Sequence, residues 1–218
     1  PAKLDGPLIL NQEQQLAFDG LSRQMEGEKP GCALLYGVTG SGKTSVYLQL
    51  IRHALDSGKS ALLMVPEIAL TPQLLSLLAG HFGQNVAVLH SSLPPTERYD
   101  QWKRIRSGKA TVIVGTRSAV FAPSENLGLI ILDEEQEHSY QSENSPRYAA
   151  KEVALWRGIK ERVLVLLGSA TPSVETMYHA RSGVYQYVQL TGRYNGKSLP
   201  HVQIIDMKEE IRDGNSSS

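Results

Sequence analysis

The stretch Cys32-Ala33-Leu34-Leu35-Tyr36-Gly37-Val38-Thr39-Gly40-Ser41-Gly42-Lys43-Thr44 decides the fold. An apolar run of strand length, Cys32–Val38, passes into a glycine-rich loop and then into a helix-length segment, Lys43–Ser57. Gly37 to Thr44 fits the Walker A pattern in full. Its glycines let the backbone curl so that successive N–H groups, from Val38 through Gly42, point inward at phosphate oxygens. The helix that follows aims its positive end at the same anion. Lys43 is the point charge for the β- and γ-phosphates, and Thr44 offers a hydroxyl to Mg²⁺. A chance glycine-rich turn would not also sit between a strand and a helix, as this motif demands.

Working outward, further apolar runs alternate with helix-length segments. The runs are Ser60–Pro66, Val86–His90, Thr111–Thr116, Leu127–Asp133 and Val163–Ala170. The segments between them are Thr71–Phe82, Pro95–Ser107, Arg147–Lys160 and Ser173–Ser182. Unbroken Val, Ile and Leu runs are what strands buried on both faces look like. Thr71-Pro72 and Thr171-Pro172 each read as an N-cap followed by Pro at the first helical position. The expectation is an α/β P-loop NTPase, a three-layer αβα sandwich around a mainly parallel, doubly wound sheet.

The run Leu127–Leu132 ends in Asp133-Glu134-Glu135-Gln136. A buried strand that delivers an acid at its C-terminal end is the Walker B pattern, and ligands of open α/β sheets sit at that edge. Alone, it could be an acidic strand end in solvent. Beside the Gly37–Thr44 cradle, Asp133 reads as the residue that holds Mg²⁺ through water. Glu134 reads as the base that orients and deprotonates the attacking water. Lys43, Asp133 and Glu134 are thus the candidate catalytic set, with Thr44 and Asp133 on the metal.

Composition sets the outer limits. The 218 residues carry 22 basic and 22 acidic side chains, so the formal net charge is zero. A protein that only grips nucleic acid would usually be basic. The single cysteine, Cys32, lies in an apolar run and reads as core; it can support neither a disulfide framework nor a zinc site. No apolar run approaches the roughly 18 residues of a membrane span, and no signal or transit peptide is evident. The expected setting is cytoplasmic, with no membrane partner. Arg98, Lys103, Arg104, Arg106 and Lys109 form a local basic cluster whose ordinary reading is a solvated helix face.

Several segments match one known group of proteins in order and spacing. Leu10-Asn11-Gln12-Glu13-Gln14 resembles the Q motif of superfamily 2 helicases, with Gln14 as the reader of adenine. A carboxamide suits that task because it donates and accepts in one plane. The base-reading Asn-Lys-x-Asp of GTPases is absent, which also favours ATP. Val65-Pro66-Glu67-Ile68-Ala69-Leu70-Thr71-Pro72-Gln73 resembles motif Ia, and Val114-Gly115-Thr116-Arg117-Ser118-Ala119 resembles motif Ib. Asp133–Gln136 is similar to motif II, and Gly168-Ser169-Ala170-Thr171-Pro172 to motif III. The wording of these blocks resembles the PriA family of bacterial replication-restart helicases, from about Leu8 to Asp213.

That resemblance implies a RecA-like first motor lobe of an ATP-dependent, 3′-to-5′ DNA helicase that works in fork restart and primosome assembly. It implies forked or single-stranded DNA as substrate, and primosome and single-strand-binding proteins as partners. DNA contact falls to Pro66, Glu67, Thr116, Arg117 and Ser118, and to an aromatic-rich sensor segment with Tyr140, Arg147 and Tyr148. Trp156, on the following helical stretch, is expected in the core. Gln136, Ser169 and Thr171 are expected to couple the nucleotide site to motif III. Position 136 departs from the family's usual His: Gln still donates and accepts but does not titrate near neutral pH. His138, two residues on, reads as a loop histidine.

The expected domain layout is a lead-in over residues 1–10, the lobe over 11–207, and a linker over 208–218. Such motors work at a cleft between two lobes, the second supplying an arginine to the transition state. The chain therefore reads as one lobe, nearly inactive alone. Three other readings stand beside this one. A motor of RecG or transcription-repair-coupling type shares a Gln in motif II. A P-loop kinase would need neither Thr116-Arg117 nor motif III. A non-catalytic nucleotide sensor need not keep Glu134.

Overall fold

A computed structural model describes residues 9–192. The lead-in before Ile9, the end of the lobe and the linker over 208–218 lie outside the described residues.

The strands are β1 (Cys32–Gly37), β2 (Ser60–Met64), β3 (Val86–Leu89), β4 (Val112–Gly115), β5 (Leu127–Asp133), β6 (Leu164–Ser169) and β7 (Gln186–Leu190). They form one sheet in the order β3-β4-β2-β5-β6-β1-β7, and every pairing is parallel. Parallel strands need crossovers, and the helices supply them. These are α1 (Gln12–Glu26), α2 (Lys43–Asp56), α3 (Pro72–Phe82), α4 (Pro95–Arg106), α5 (Ala150–Glu161) and α6 (Val174–Arg181).

Alternation along each strand divides the core in two. Ala33 and Leu35 of β1 point into the layer filled by α1, α2 and α3, with Leu21, Ile51 and Leu78. Cys32 and Leu34 point the other way, toward Ile105, Ala154 and Ala180 of α4, α5 and α6. Each fully buried Leu or Ile contributes about 1.5–3 kcal/mol relative to exposure, so the two layers stabilise the sheet from both sides. Burial pushes the Cys32 thiol up to about 12, as befits a core residue rather than a reactive one. No helix among the described residues is long and apolar enough to cross a membrane.

The structure adds an element and shifts others. β7 was not legible as a strand because its residues, Gln-Tyr-Val-Gln-Leu, form no unbroken apolar run, and only Leu190 is buried. It pairs with β1 alone, at the sheet edge. Glu13 of α1 fastens this edge by accepting from the backbone N–H groups of Thr191 and Gly192. Thr71 does cap α3, with Pro72 at the first helical position. Thr171 does not cap α6: the helix starts later, capped by Ser173, whose Oγ accepts from the Thr176 N–H. α5 begins at Ala150 rather than Arg147, because Ala149 bridges back to Gln141. Trp156 lies outside the core: it is 58% exposed, with the Lys160 ammonium over its ring at 4.6 Å. A Trp presents enough apolar surface to shelter a lysine stem in this way.

Candidate nucleotide site and its link to the strand-end loops

The strand order puts β6 between β5 and β1, so motif III emerges between the two Walker motifs. Asp133 and Gly168 are register partners on β5 and β6, and Ser169 is partnered with Tyr36 on β1. Residues 38–45, Asp133 and Glu134 line one cavity of about 360 Å³.

The cradle has the features an anion requires. Gly40 and Gly42 have φ of 80° and 86°, a conformation that glycine adopts without strain. Lys43 is buried, and its Nζ donates to the Gly37 carbonyl at 2.8 Å. Glu134 Oε1 stands 3.7 Å from the same ammonium. The Ser41 hydroxyl is buried without a hydrogen-bond partner, a costly state unless a ligand satisfies it. Thr44 is exposed at the start of α2, across the cavity from Asp133.

Burial raises the Asp133 pKa, opposed by a hydrogen bond from Tyr47 and by the charge of Lys43. Glu134 has a left-handed backbone, φ 47°. Its Oε2 accepts from Gln136 Nε2 at 3.0 Å. The Ser169 hydroxyl donates to Gln136 Oε1 at 2.7 Å and accepts from the Thr171 N–H at 2.9 Å. The structure thus brings the three expected coupling residues together in one chain of hydrogen bonds that starts at Glu134. Gln136 uses both ends of its carboxamide there, donating to Glu134 and accepting from Ser169.

Gln14 sits differently from expectation. It is fully buried. Its Oε1 accepts from the Asn11 N–H at 2.9 Å, closing a capping box on α1, and its Nε2 donates to the Ser41 carbonyl at 3.4 Å. In this arrangement Gln14 braces the cradle and presents no face to a base. The capping box is the reason: the Asn11–Gln14 spacing that resembles a Q motif also satisfies the first turn of a helix.

Sequence reasoning missed Glu135. Its side chain is fully enclosed, paired with Lys151 at 2.7 Å. It accepts from the Ser173 N–H at 2.7 Å and from the Thr176 hydroxyl at 3.0 Å. This satisfied network ties the end of β5 to the starts of α5 and α6. A second Glu beside the candidate base gave no hint of it, because its partners come from 16 to 41 residues away.

The expected DNA-contacting residues divide by exposure. Pro66 and Thr116 are buried, so neither side chain is open to a phosphate. Tyr140 is also buried, with its hydroxyl donating to the Asp133 carbonyl at 2.7 Å. It therefore supports the Walker B strand and offers no ring for stacking. Glu67, Ser118 and Arg147 are exposed, and Arg117 and Tyr148 partly so. Among the described residues Arg117 pairs with no carboxylate: its guanidinium donates to the Gln141 carbonyl at 2.5 Å and reaches the Ser139 carbonyl at 3.5 Å. Tyr148 packs edge-on against Phe121 at 4.9 Å. The motif Ib turn (Arg117–Phe121) and the segment after Walker B are thus joined twice.

The basic cluster behaves as a solvated face. Lys103 pairs with Asp100 at 3.5 Å, and Arg104 with Gln101 and the Gln84 carbonyl. The wide depression of about 860 Å³ there lies toward the other end of β4 from the cradle. It is larger than the nucleotide cavity, and its basic side chains, Lys103, Arg104, Arg106 and Lys109, share the lining with Asp100.

The model of the DEAD/DEAH box helicase family matches residues 11–179. The chain belongs to that family. Its fold is the family's RecA-like α/β sandwich. The chain is 48% identical over 211 residues to the replication restart protein PriA of Bacillus subtilis (strain 168), covering 97% of this chain and 26% of that protein. It is 46% identical to PriA of Chlamydia trachomatis serovar D, covering 95% and 28%. Among solved structures it resembles RecG bound to a three-way DNA junction, with a TM-score of 0.66 and 25% identity, covering 95% of this chain and 27% of that one. The Pyrococcus furiosus Hef helicase domain shares the fold, with a TM-score of 0.53 and 22% identity, over 82% of this chain and 37% of that one. The chain spans about a quarter of the length of the curated relatives it matches.

Proposed function

We propose that this chain is the ATP-binding motor lobe, over residues 11–207, of an ATP-dependent 3′-to-5′ DNA helicase that restarts replication at stalled forks. One observation carries the reading: a continuous set of contacts runs from the nucleotide cavity to the exposed strand-end loops. Lys43 meets Glu134, Glu134 meets Gln136, and Gln136 meets Ser169. Tyr140 holds the Asp133 carbonyl, and its neighbours Ser139 and Gln141 hold Arg117. Contacts therefore link the cavity to Arg117 and, through the turn it opens, to Ser118 and Tyr148. A kinase or a simple nucleotide sensor needs no such route.

In this reading the cradle N–H groups and Lys43 bind the phosphates of ATP. Thr44 and Asp133 would hold Mg²⁺, which neutralises charge on phosphate oxygens. Glu134 orients the attacking water and takes its proton. Exposed Ser118 and Arg147, with partly exposed Arg117, touch the DNA backbone, and Tyr148 offers a ring to a base; both contacts are indifferent to sequence. Likeness to replication restart proteins supports the fork setting, and primosome and single-strand-binding partners and a cytoplasmic location complete the proposal. A RecG-type branch translocase is a second reading, favoured by Gln136 and by the likeness to RecG.

ATP turnover by the full-length protein should rise on adding single-stranded DNA and lose that rise as salt increases, since phosphate contacts release counterions. Arg147→Ala with Tyr148→Ala should cut the DNA-stimulated rate at least several-fold and spare the DNA-independent rate. Equal loss of both would make the segment structural. Strand displacement on a labelled fork supports the restart reading, whereas regression of the fork without displacement supports the RecG type.

A further inference from the structure

Tyr47 lies four residues after Lys43 on α2, so the two share a helix face. Lys43 serves the cradle. Tyr47 is 2% exposed, and its hydroxyl donates to Asp133 Oδ1 at 2.8 Å. A buried phenol needs some acceptor, and a carbonyl would serve. Here the acceptor is the carboxylate that ends the Walker B strand. A phenol hydroxyl 2.8 Å from a carboxylate oxygen is the donor of that pair.

The space for that hydroxyl is made elsewhere. A Cβ at Gly168 would overlap the Tyr47 hydroxyl and approach Asp133 Oδ1 to 3.3 Å. Gly168 is the register partner of Asp133 on the neighbouring strand. Residues from the P-loop helix, the Walker B strand and motif III therefore converge on one oxygen. The terminal torsion of an Asp is broad, so a carboxylate without a fixed donor samples many planes. With Oδ1 taken by Tyr47 at 2.8 Å, the carboxylate has a fixed donor that sets its plane.

We propose that Tyr47 is a positioning residue for the metal: it fixes the Asp133 carboxylate before Mg²⁺-nucleotide arrives, in room that Gly168 leaves. This rests on Asp133 holding the metal. The full-length protein and its Tyr47→Phe variant are titrated calorimetrically with ADP, once with Mg²⁺ and once with EDTA. The ratio of the two Kd values is the metal's contribution. Tyr47→Phe should leave the Kd in EDTA within about twofold and reduce the metal's contribution about three- to tenfold, a fraction of what a full hydrogen bond to a charged group supplies. In an Asp133→Ala background the same change should do nothing further, since the phenol acts through that carboxylate. An unreduced metal contribution overturns the proposal, as does a proportional rise in both Kd values, which marks mere structural damage. A loss that persists without Asp133 overturns it too. If the parent protein shows no metal contribution at all, the reading of Asp133 as metal-holding fails first, and this inference with it.

Discussion

Glu134→Gln should lower ATP turnover of the full-length protein by about 10²-fold or more, the usual worth of a positioned base, while Mg-ATP still binds. The substitution keeps the length of the side chain and its capacity to accept from Gln136 Nε2, now at 3.0 Å from Glu134 Oε2. It removes the ability to take a proton from water. It also removes a negative charge 3.7 Å from the Lys43 ammonium, so binding of an anionic nucleotide should hold or tighten. Single-turnover hydrolysis paired with calorimetric binding separates the two effects. A variant that turns over ATP at the parent rate would remove Glu134 from the chemistry and leave the cavity without a base.

Lys43→Ala should act on the other half of the cycle. The buried ammonium has the Gly37 carbonyl as its close acceptor at 2.8 Å, with Glu134 more distant. Phosphate oxygens would be stronger, charge-assisted acceptors. Removing it should weaken nucleotide binding by about 1.5–3 kcal/mol, or roughly 10- to 100-fold in Kd. Turnover should fall further, because charge grows on the phosphates in the transition state. Lys43→Arg should not restore binding: a planar fork does not fit a pocket built around a compact point charge. Unchanged ADP affinity in Lys43→Ala would place the phosphates elsewhere.

Much of this was legible in the sequence because the decisive chemistry is local. The Gly37–Thr44 cradle specifies its own geometry within eight residues, and strands β1 to β6 announce themselves as apolar runs. What was not legible depends on partners distant in the chain. Gln14 matches a base-reading motif, yet the same spacing closes a capping box and brings the carboxamide onto Ser41, 27 residues away. Tyr140 and Trp156 were assigned from neighbours in sequence and exchanged places in space: the tyrosine is 2% exposed and the tryptophan 58%. The Tyr140 hydroxyl finds the Asp133 carbonyl, whereas Trp156 falls on the outer face of α5. Gln186 and Gln189 interrupt β7 at a sheet edge, so it gave no continuous apolar run to read.

The backbone at Glu134 has a consequence for stability. A glutamate at φ 47° occupies the left-handed region, which costs an ordinary L residue about 1–2 kcal/mol and asparagine less. The protein tolerates this penalty at the position where the proposed base must stand. Glu134→Asn should therefore relax the turn after β5: the variant should melt slightly above the parent in a thermal scan while hydrolysing ATP barely at all. Robustness and activity would then move in opposite directions at one residue, and selection for heat resistance alone would tend to erase the motor.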